Sequence, residues 1–366
     1  MRILAIETSC DETAVALLEI RGAPEKPDIK VLGNTLLSQI HLHEKYGGVY
    51  PNLAKREHQK NLPILLEKTL AEAGEDKEDP NIDFIAVTNG PGLEPALWTG
   101  ITFAEQLGRK WDKPVVPINH MEGHIYSVLF RTESNPKSEI LNPKSSLKLP
   151  ALALLVSGGH TELVHVKDFG NYEIIGRTRD DAVGEAFDKV ARLLGLPYPG
   201  GPQISRLAEK SRFRIQDLGF KFPRPMIHSG NLDFSFSGLK TAVLYKLKLE
   251  NRSDDEFREN MARAFEDAAV EVLVEKTRQA LEKLSNVKTL IVAGGVSANL
   301  HLSKELNKLV DKFPNIRLRI PVPLLTTDNA IMIGIAAFIK VGRKSEITRP
   351  EAPIEALGNL SLVSWR

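Results

Sequence analysis

The chain opens with the stretch that decides its fold, Arg2-Ile3-Leu4-Ala5-Ile6-Glu7-Thr8-Ser9-Cys10-Asp11-Glu12-Thr13-Ala14-Val15-Ala16-Leu17-Leu18. Its apolar residues 2–6 and 14–18 flank a polar turn, and this pattern predicts a β-hairpin. The same order of apolar run, polar turn and apolar run recurs at residues 151–166, around the turn Ser157-Gly158-Gly159-His160-Thr161. The repeated hairpin predicts an internal duplication.

A second feature supports the duplication, because a strand, a glycine turn and a helix also occur twice. Residues 84–88 run into Asn89-Gly90-Pro91-Gly92 and a helical stretch, and residues 290–293 run into Gly294-Gly295-Val296-Ser297-Ala298-Asn299 and another. Such turns present free backbone N–H groups and a positive helix end to an anion. The sequence therefore predicts an α/β fold of two similar lobes with a nucleotide-binding cleft between them, each lobe offering a hairpin turn and a helix N-terminus. This resembles the actin, sugar-kinase and Hsp70-type ATPase fold, which is ribonuclease H-like.

Composition limits the class of protein. The 366 residues suffice for two domains, and 42% of them are apolar. The 48 Lys and Arg nearly balance the 47 Asp and Glu, so a nucleic-acid surface has to be a local patch. The single cysteine, Cys10, excludes an internal disulfide. No apolar run approaches the ~18 residues of a membrane span, and no targeting segment is evident, so we expect a soluble cytoplasmic protein.

Two histidines four residues apart, His120 and His124, follow the apolar run 114–118. Asn119 is a suitable helix N-cap, and in a helix that begins there both rings lie on one face, with Cβ atoms about 5–6 Å apart. Two imidazoles at this spacing can bind one metal ion, although two ordinary helix histidines fit the spacing equally well. Gly123 costs roughly 1 kcal/mol against Ala in a helix, so we expect a close backbone approach there. No spacing rule supplies a third ligand.

Other polar residues have a structural explanation beside a chemical one. His41 and His43 can be ligands, but paired loop histidines are more often solvated or hydrogen-bonded. Asp328 precedes an apolar helix, and capping that helix explains it. Basic residues alternate with aromatic ones over residues 206–224, which suits nucleic-acid contact or a solvated charged surface. The basic residues of that stretch are Arg206, Lys210, Arg212, Arg214, Lys221 and Arg224.

These segments together resemble the tRNA N6-adenosine threonylcarbamoyltransferase family, formerly called O-sialoglycoprotein endopeptidase or glycoprotease. The resemblance extends in order from residue 3 to about residue 340, and the turn 157–161 resembles that of the bacterial branch. The similar segments are residues 5–13, 46–51, 90–93, 120–124, 156–161, 184–189, 198–202, 236–241, 294–299 and 327–329.

The resemblance implies a set of site residues. Its metal ligands map onto His120, His124 and Asp328, which would hold one divalent ion, Fe²⁺ or Zn²⁺, with an open position for a substrate oxygen. For the implied reaction, we expect Asp11 and Glu12 in the first turn to act as catalytic residues that position the metal shell or the incoming amine. The family's substrate-binding residues map onto Leu155, Val156, Ser157, Gly158, Gly159, Asp188, Gly201 and Asn299.

The resemblance also implies a reaction and partners. A threonylcarbamoyl group would leave threonylcarbamoyl-AMP and join the N6 amine of adenosine 37, next to the anticodon, in tRNAs that read codons beginning with adenine. The products are t6A and AMP. Partners would be tRNA, ATP or AMP, a paralogous actin-like subunit and a small ATPase, with no membrane involved. We expect the basic stretch 206–224 to contribute phosphate contacts to the tRNA.

Two rival functions remain open. A metalloprotease would use His120 and His124 with Glu122 as base, but it leaves the duplicated lobes unexplained. An actin-like kinase or ATPase would explain the lobes, but not the histidine pair.

The expected domain organisation follows the repeat. Lobe I spans 1–131, a loop insertion 132–149, lobe II 150–326, a C-terminal helix 327–342 that carries the metal ligand and packs back on lobe I, and a tail 343–366. Because Asp328 follows lobe II in sequence, we expect a bound ion to draw the two lobes together.

Overall fold

The structure, a computed structural model, describes residues 1–130, 146–213, 220–250, 252, 254–343 and 352–364. Most of the predicted insertion 132–149, the basic residue Arg214 and parts of the predicted tail 343–366 therefore lie outside the described residues. In the described part of the chain, no helix is both long enough and apolar enough to cross a membrane.

The first sheet contains the N-terminal hairpin. Its strands are β1 (Arg2–Glu7), β2 (Glu12–Ala23), β3 (Lys26–Ser38), β4 (Phe84–Gly90) and β5 (Val115–Asn119). Their order is β3-β2-β1-β4-β5. The β1–β2 and β2–β3 pairs are antiparallel, whereas β1–β4 and β4–β5 are parallel. The predicted hairpin thus forms the centre of a mixed sheet.

The second sheet repeats this topology. Its strands are β6 (Ala151–Val156), β7 (Thr161–Asp168), β8 (Asn171–Arg177), β9 (Thr289–Ala293) and β10 (Arg317–Arg319). Their order is β10-β9-β6-β7-β8. The β6–β7 pair is antiparallel, and β6–β9 and β9–β10 are parallel. Strands β6 to β10 therefore occupy the places of β1 to β5, as the repeated hairpins and glycine turns predicted.

The helices follow the strands in chain order. They are α1 (Ile40–His43), α2 (Pro51–Ala73), α3 (Glu94–Lys110), α4 (His120–Tyr126), α5 (Val183–Leu193), α6 (Gly200–Phe213), α7 (Ser237–Glu250), α8 (Asp255–Lys283), α9 (Leu300–Val310) and α10 (Ala330–Gly342).

The chain divides into two compact units. Unit 1 contains Met1–Lys148, Asp168–Asn171 and Pro321–Arg366, and unit 2 contains Leu149–Lys167 and Tyr172–Ile320. Helix α10 thus belongs to the same unit as the N-terminal hairpin and packs against β1, β2 and α4.

Unit 1 covers both faces of its sheet with helices. On one face, Leu4 and Leu17 pack with Leu62 of α2 and Ile101 of α3. On the other face lies α10, which is buried over almost its whole length. A Cβ added at Gly334 of α10 would lie 2.4 Å from Leu18 Cδ1. Burial on both faces explains why β1 and β2 carry unbroken apolar runs without polar alternation.

Unit 2 has its own core. Leu152 and Leu154 of β6 pack with Phe187 of α5 and with Phe265 of the long helix α8. The rings of Phe187 and Phe265 meet edge to face, with centroids 5.0 Å apart. This core fixes the loops that leave the carboxyl ends of β6 and β9.

Candidate metal centre and substrate-binding turns

The histidine pair lies on a helix that begins where the sequence predicts. Asn119 ends β5 and caps α4, because its Oδ1 accepts hydrogen bonds from the Met121 and Glu122 N–H groups at 2.8 and 3.4 Å. The predicted close approach at Gly123 is present. A Cβ there would lie 3.0 Å from Met332 Cγ of α10. Glycine therefore lets α4 and α10 approach closely.

The structure corrects the expectation that Asp328 caps the apolar helix. Asn329 is the N-cap of α10, and its Oδ1 accepts the Met332 N–H at 2.9 Å. The Asp328 carboxylate therefore does not cap α10, and it faces the two histidines. Its Oδ1 lies 3.3 Å from His120 Nε2 and 3.2 Å from His124 Nε2.

These three side chains have the geometry of a metal site. One ligand atom from each of His120, His124 and Asp328 lies within 4.8 Å of the others. Ligands held at ~2.0–2.1 Å by a tetrahedral ion are about 3.3 Å apart, close to both carboxylate–imidazole distances. Both nitrogens of the buried His124 ring lack a hydrogen bond of normal geometry with any described residue. A buried imidazole in that condition fits a metal ligand.

All three of these residues belong to unit 1. An ion held by them would join distant segments of one unit. The expectation that the ion would draw the two lobes together is therefore wrong, because Asp328 rejoins the N-terminal sheet together with α10.

A second layer of buried polar groups holds His120 in place. Glu7, at the end of β1, is fully buried, and its Oε2 lies 3.1 Å from His120 Nδ1. Thr88 at the end of β4 donates to the same oxygen at 2.5 Å, and Ser9 Oγ lies 3.2 Å from His120 Nδ1. A carboxylate on the far nitrogen orients a metal-binding imidazole and raises its basicity. Sequence reasoning missed Glu7, although a carboxylate ending a wholly apolar strand was a signal.

The charges at this centre set the protonation of its members. Burial lowers the pKa of His120, but the Asp328 and Glu7 carboxylates outweigh it and raise that pKa well above its ordinary value. Burial lowers the pKa of His124. Against the cost of burial, the charge of His120 holds the pKa of Asp328 far below the ordinary range of an aspartate. Without a metal, the two carboxylates therefore favour the protonated form of His120.

The candidate catalytic residues lie in the β1–β2 turn. Asp11 is 6% exposed, and its Oδ2 has no hydrogen-bond partner among the described residues. Burial, followed by the charges of Asp11 and Asp328, raises the pKa of Glu12 well above its ordinary value. Cys10 shares this environment, and burial with the neighbouring carboxylates raises the pKa of its thiol. The thiol is therefore not activated as a nucleophile.

In unit 2, the β6–β7 turn is open where the sequence places a substrate site. The Ser157 N–H donates to His160 O at 2.9 Å, which closes the turn. At Gly158 and Gly159, no described atom lies within 4 Å of the position a Cβ would take. The Leu155 and Val156 side chains are wholly buried. These two residues can therefore reach a ligand only through the backbone at the end of β6.

Two predicted substrate residues support neighbouring loops. Asp188 Oδ1 accepts the Gly200 N–H at 2.7 Å, which fixes the start of α6 beside the open position of Gly201. Asn299 caps α9 by accepting the Leu302 N–H at 2.8 Å. Its amide also donates to the buried Glu266 carboxylate at 2.7 Å. In this structure, the Asn299 side chain is held by the protein and shapes the turn after β9.

The glycine turn of unit 1 differs from that of unit 2, which corrects the expectation that each lobe offers one to a ligand. The Gly92 N–H donates to Gly358 O at 3.1 Å, and the Leu93 N–H donates to Ser9 O at 2.8 Å. Asn89 O accepts the Leu357 N–H at 2.8 Å. Residues 352–364, which we call the C-terminal segment, therefore occupy the Gly92 N–H, and Ser9 occupies the Leu93 N–H, just before α3.

Three basic residues of the stretch 206–224 lie near carboxylates of the protein itself. Arg212 donates to Glu266 Oε2 at 2.7 Å and also pairs with Asp267. Arg224 donates to Glu271 Oε2 at 2.7 Å, and Lys210 lies 3.8 Å from Glu259. The Arg212 guanidinium therefore ties α6 to α8, and the contribution of the stretch 206–224 to tRNA binding stays a prediction.

The loop histidines differ from each other. His43 is wholly buried, and its Nδ1 accepts the Tyr50 N–H at 3.2 Å. Its Nε2 lies 3.2 Å from Gln39 Oε1. His41 is exposed. His43 therefore has a structural role, and the metal centre uses neither ring.

Comparison with solved structures identifies the class of fold. HypF from T. kodakarensis aligns with a TM-score of 0.58 and 13% identity, over 93% of this chain and 48% of that one. Full-length HypF in its phosphate- and nucleotide-bound form aligns with a TM-score of 0.56 and 12% identity, over 95% and 47%. The chain thus has the two-lobed α/β fold of the actin-like ATPases, which confirms the predicted fold class.

Sequence comparison then identifies the family. The family model for tRNA N6-adenosine threonylcarbamoyltransferase (TsaD) matches residues 30–335. Proteins of that name are 46% identical in Burkholderia ambifaria, over 94% of both chains, and 44% identical in Thermosipho africanus, over 99% of this chain and 100% of that one. The Staphylococcus carnosus protein is 45% identical over 94% and 93%. The chain belongs to the tRNA N6-adenosine threonylcarbamoyltransferase family, as the resemblance implied.

Proposed function

We propose that this chain transfers the threonylcarbamoyl group of threonylcarbamoyl-AMP to the N6 amine of adenosine 37 in tRNAs that read codons beginning with adenine. The amine nitrogen bonds to the carbamoyl carbon, the bond from that carbon to the phosphate oxygen breaks, and AMP leaves. The amine loses one proton. The family assignment, together with the His120, His124 and Asp328 cluster, carries the proposal.

The residues of the centre are assigned as ligands of one divalent ion. His120, His124 and Asp328 would hold Fe²⁺ or Zn²⁺, and two imidazoles with one carboxylate suit either metal. When bound, such an ion polarises an oxygen of the substrate and fixes its position. Glu7 orients the His120 ring. We assign to Asp11 and Glu12 the positioning of the incoming amine.

The turns of unit 2 are assigned to the adenylate. The backbone at Leu155, Val156, Ser157, Gly158 and Gly159 can donate N–H groups to a phosphate. The openness around Gly158, Gly159 and Gly201 leaves room for a ligand. Asp188 and Asn299 hold the loops around them in the structure described here, and we assign them to contacts with the adenylate as well.

An anticodon-loop adenosine suits this chemistry because it is already unpaired, so little stacking energy opposes its presentation. We propose that a paralogous actin-like subunit and a small ATPase assist the reaction in the cytoplasm, where the tRNA is found. A metalloprotease or an actin-like kinase is not favoured, because the relatives carry the transferase name.

The test is a reconstitution. The chain would be incubated with unmodified tRNA, threonine, bicarbonate, ATP and the candidate partner proteins, and the tRNA would be digested and examined by mass spectrometry. We expect t6A that depends on the chain. A matched tRNA with guanosine at position 37 serves as the control. Absence of t6A in the complete mixture would refute the assignment.

A further inference from the structure

We propose that Tyr46 and Tyr50 form a stacking platform that holds an unpaired anticodon-loop base of the tRNA, other than the adenosine that is modified. The proposal rests on the proposed function, because it takes tRNA as the substrate. It assigns a ligand to the segment between β3 and α2, which the metal centre and the substrate-binding turns leave unused.

The two rings form an exposed aromatic pair. Their centroids are 5.5 Å apart, and their planes are inclined by 27°. Tyr46 is 53% exposed and Tyr50 is 50% exposed. Lys45 Nζ lies 5.0 Å from the centroid of the Tyr46 ring. The exposed, stacked pair offers an aromatic face to a base, and the cation over the Tyr46 ring offers a positive charge to the phosphate of that base.

The backbone makes this pair rigid. A short 3₁₀ turn at Glu44–Tyr46 ends at Gly47, whose N–H donates to Glu44 O at 3.0 Å. Gly47 adopts a φ of +68°, which reverses the chain, so that Tyr50 returns over Tyr46. Helix α2 begins immediately afterwards at Pro51. A pre-ordered platform loses little conformational freedom when a base binds.

The surroundings of the pair are suited to RNA. Lys45, Lys55 and Arg56 are exposed, and none of them forms an ion pair with a residue in the described ranges. Glu44 contributes one negative charge on the same turn. Lysine is depleted in the cores of protein–protein interfaces, so aromatic rings among free cations favour a nucleic acid over a protein as the occupant.

A chain of buried hydrogen bonds fixes the platform relative to the metal centre within unit 1. The Tyr50 N–H donates to His43, and His43 meets Gln39. The Gln39 N–H donates to Asp11 O at 3.0 Å. The same turn carries Ser9, whose Oγ lies 3.2 Å from His120 Nδ1. A base on the platform would therefore be held at a fixed position relative to the candidate metal ligands.

A second set of hydrogen bonds also fixes the position of the platform relative to the β1–β2 turn. His58 of α2 is buried, and its Nε2 lies 3.0 Å from Cys10 O. Its Nδ1 lies 2.8 Å from Thr13 Oγ1. Helix α2, which follows the platform directly, is thus bound to both ends of the turn that carries Asp11 and Glu12.

The test measures binding of an unmodified anticodon stem-loop RNA by fluorescence anisotropy, without any dependence on turnover. Stacking is worth ~1–3 kcal/mol per base, so Tyr46→Ala and Tyr50→Ala should each weaken binding about 5- to 150-fold. Tyr46→Phe and Tyr50→Phe should retain binding because they keep the ring face. Lys45→Gln should lower the slope of log affinity against log salt by ~0.7, whereas the alanine variants should leave it unchanged.

A fluorescent base gives a direct readout. Stem-loops with 2-aminopurine placed in turn at each loop position should show one position that the wild-type protein quenches and Tyr46→Ala does not. Tyr245, an exposed residue of α7 in unit 2, supplies the matched control, and Tyr245→Ala should bind and quench like wild type. Thermal unfolding of each variant confirms that its fold is retained.

The outcomes separate the inference from the function on which it rests. Wild-type binding that the alanine variants leave unchanged would refute the platform and leave the transferase assignment intact. Unchanged RNA binding together with lost association with a partner protein would also refute it, and would assign the pair to a protein interface. A wild-type protein that does not bind the stem-loop, and forms no t6A with full-length tRNA, would overturn both.

Discussion

Glu7 Oε2 and His120 Nδ1 lie 3.1 Å apart in the buried interior of unit 1, where a carboxylate at the end of the first strand holds an imidazole that begins α4. Without Glu7, the His120 ring would lose the partner that directs its Nε2 towards Asp328. This buried contact therefore supports a ligand of the centre, and it can be tested without measuring catalysis.

Replacing Glu7 with Gln should weaken metal binding about 10- to 100-fold, since the amide keeps the size of the side chain but supplies no charge to the imidazole. Metal titration followed by spectroscopy or calorimetry measures the effect. Glu19→Gln, at a surface position of β2, is the control and should bind metal like wild type. An unchanged affinity in Glu7→Gln would mean that Glu7 does not tune the ligand.

Removing a ligand should remove the metal. His120→Ala and His124→Ala should each lose bound metal and transferase activity together, while the protein stays folded because each unit has its own apolar core. Elemental analysis of the purified variants measures this. His41→Ala, which changes an exposed histidine away from the centre, should keep its metal. Full metal content in His120→Ala would contradict the assignment of His120 as a metal ligand.

Metal affinity should keep rising with pH until the pH exceeds the ordinary pKa of a histidine. An imidazole must be neutral to bind, and the Asp328 and Glu7 carboxylates raise the pKa of His120, so that its ring keeps a proton to a higher pH than an ordinary histidine. Below that pKa, each pH unit should change log affinity by about 1, with one proton released per ion. His124, with its lowered pKa, and Asp328, with its depressed pKa, add no further dependence in this range. Metal titrations at several pH values measure the slope of log affinity against pH. If the affinity stops rising before the pH reaches ~6.5, the raised pKa of His120 is contradicted.

The packing of α10 should be sensitive to a single methyl group. Gly334→Ala places a Cβ 2.4 Å from Leu18 Cδ1, and overpacking of this kind costs about 1–3 kcal/mol. We expect a lower free energy of unfolding and weaker metal binding, because Asp328 immediately precedes this helix. Gly342→Ala in the same helix is the control, since no described atom lies within 4 Å of its Cβ position. Denaturant unfolding of both variants decides the point, and equal stability would show that Leu18 can move aside.

The open β6–β7 turn should bind an adenine nucleotide. Calorimetry with AMP should detect binding that Gly158→Trp abolishes, since the indole would fill the empty space above the turn. Gly342→Trp, at an open position in unit 1, should bind AMP like wild type. Lack of any binding heat at millimolar AMP with the metal present would count against the assignment of the substrate-binding turns.

Local patterns predicted the parts of the structure that depend on nearby residues. The duplicated hairpins, the glycine turns and the Asn119 cap each follow from the residues of a single segment. Glu7 and the C-terminal segment were missed because their partners lie far along the chain, and a backbone pair such as Gly92 with Gly358 leaves no mark in side-chain pattern. The carboxylates that pair with Arg212 were also missed, because composition records a charge without recording its partners. The third ligand, Asp328, came from the family resemblance and not from spacing.

The discontinuous composition of unit 1 has a consequence for its synthesis. The ribosome makes the sheet and both histidines first, then all of unit 2, and only afterwards Asp328, α10 and the C-terminal segment. Until α10 emerges, one face of the first sheet stays uncovered and the histidines lack their carboxylate. A nascent chain interrupted after unit 2 and before α10 would carry a complete unit 2. Its unit 1 would expose apolar surface and lack the Asp328 ligand. We expect chaperones and proteases to recognise such a product, so that the incomplete enzyme is removed.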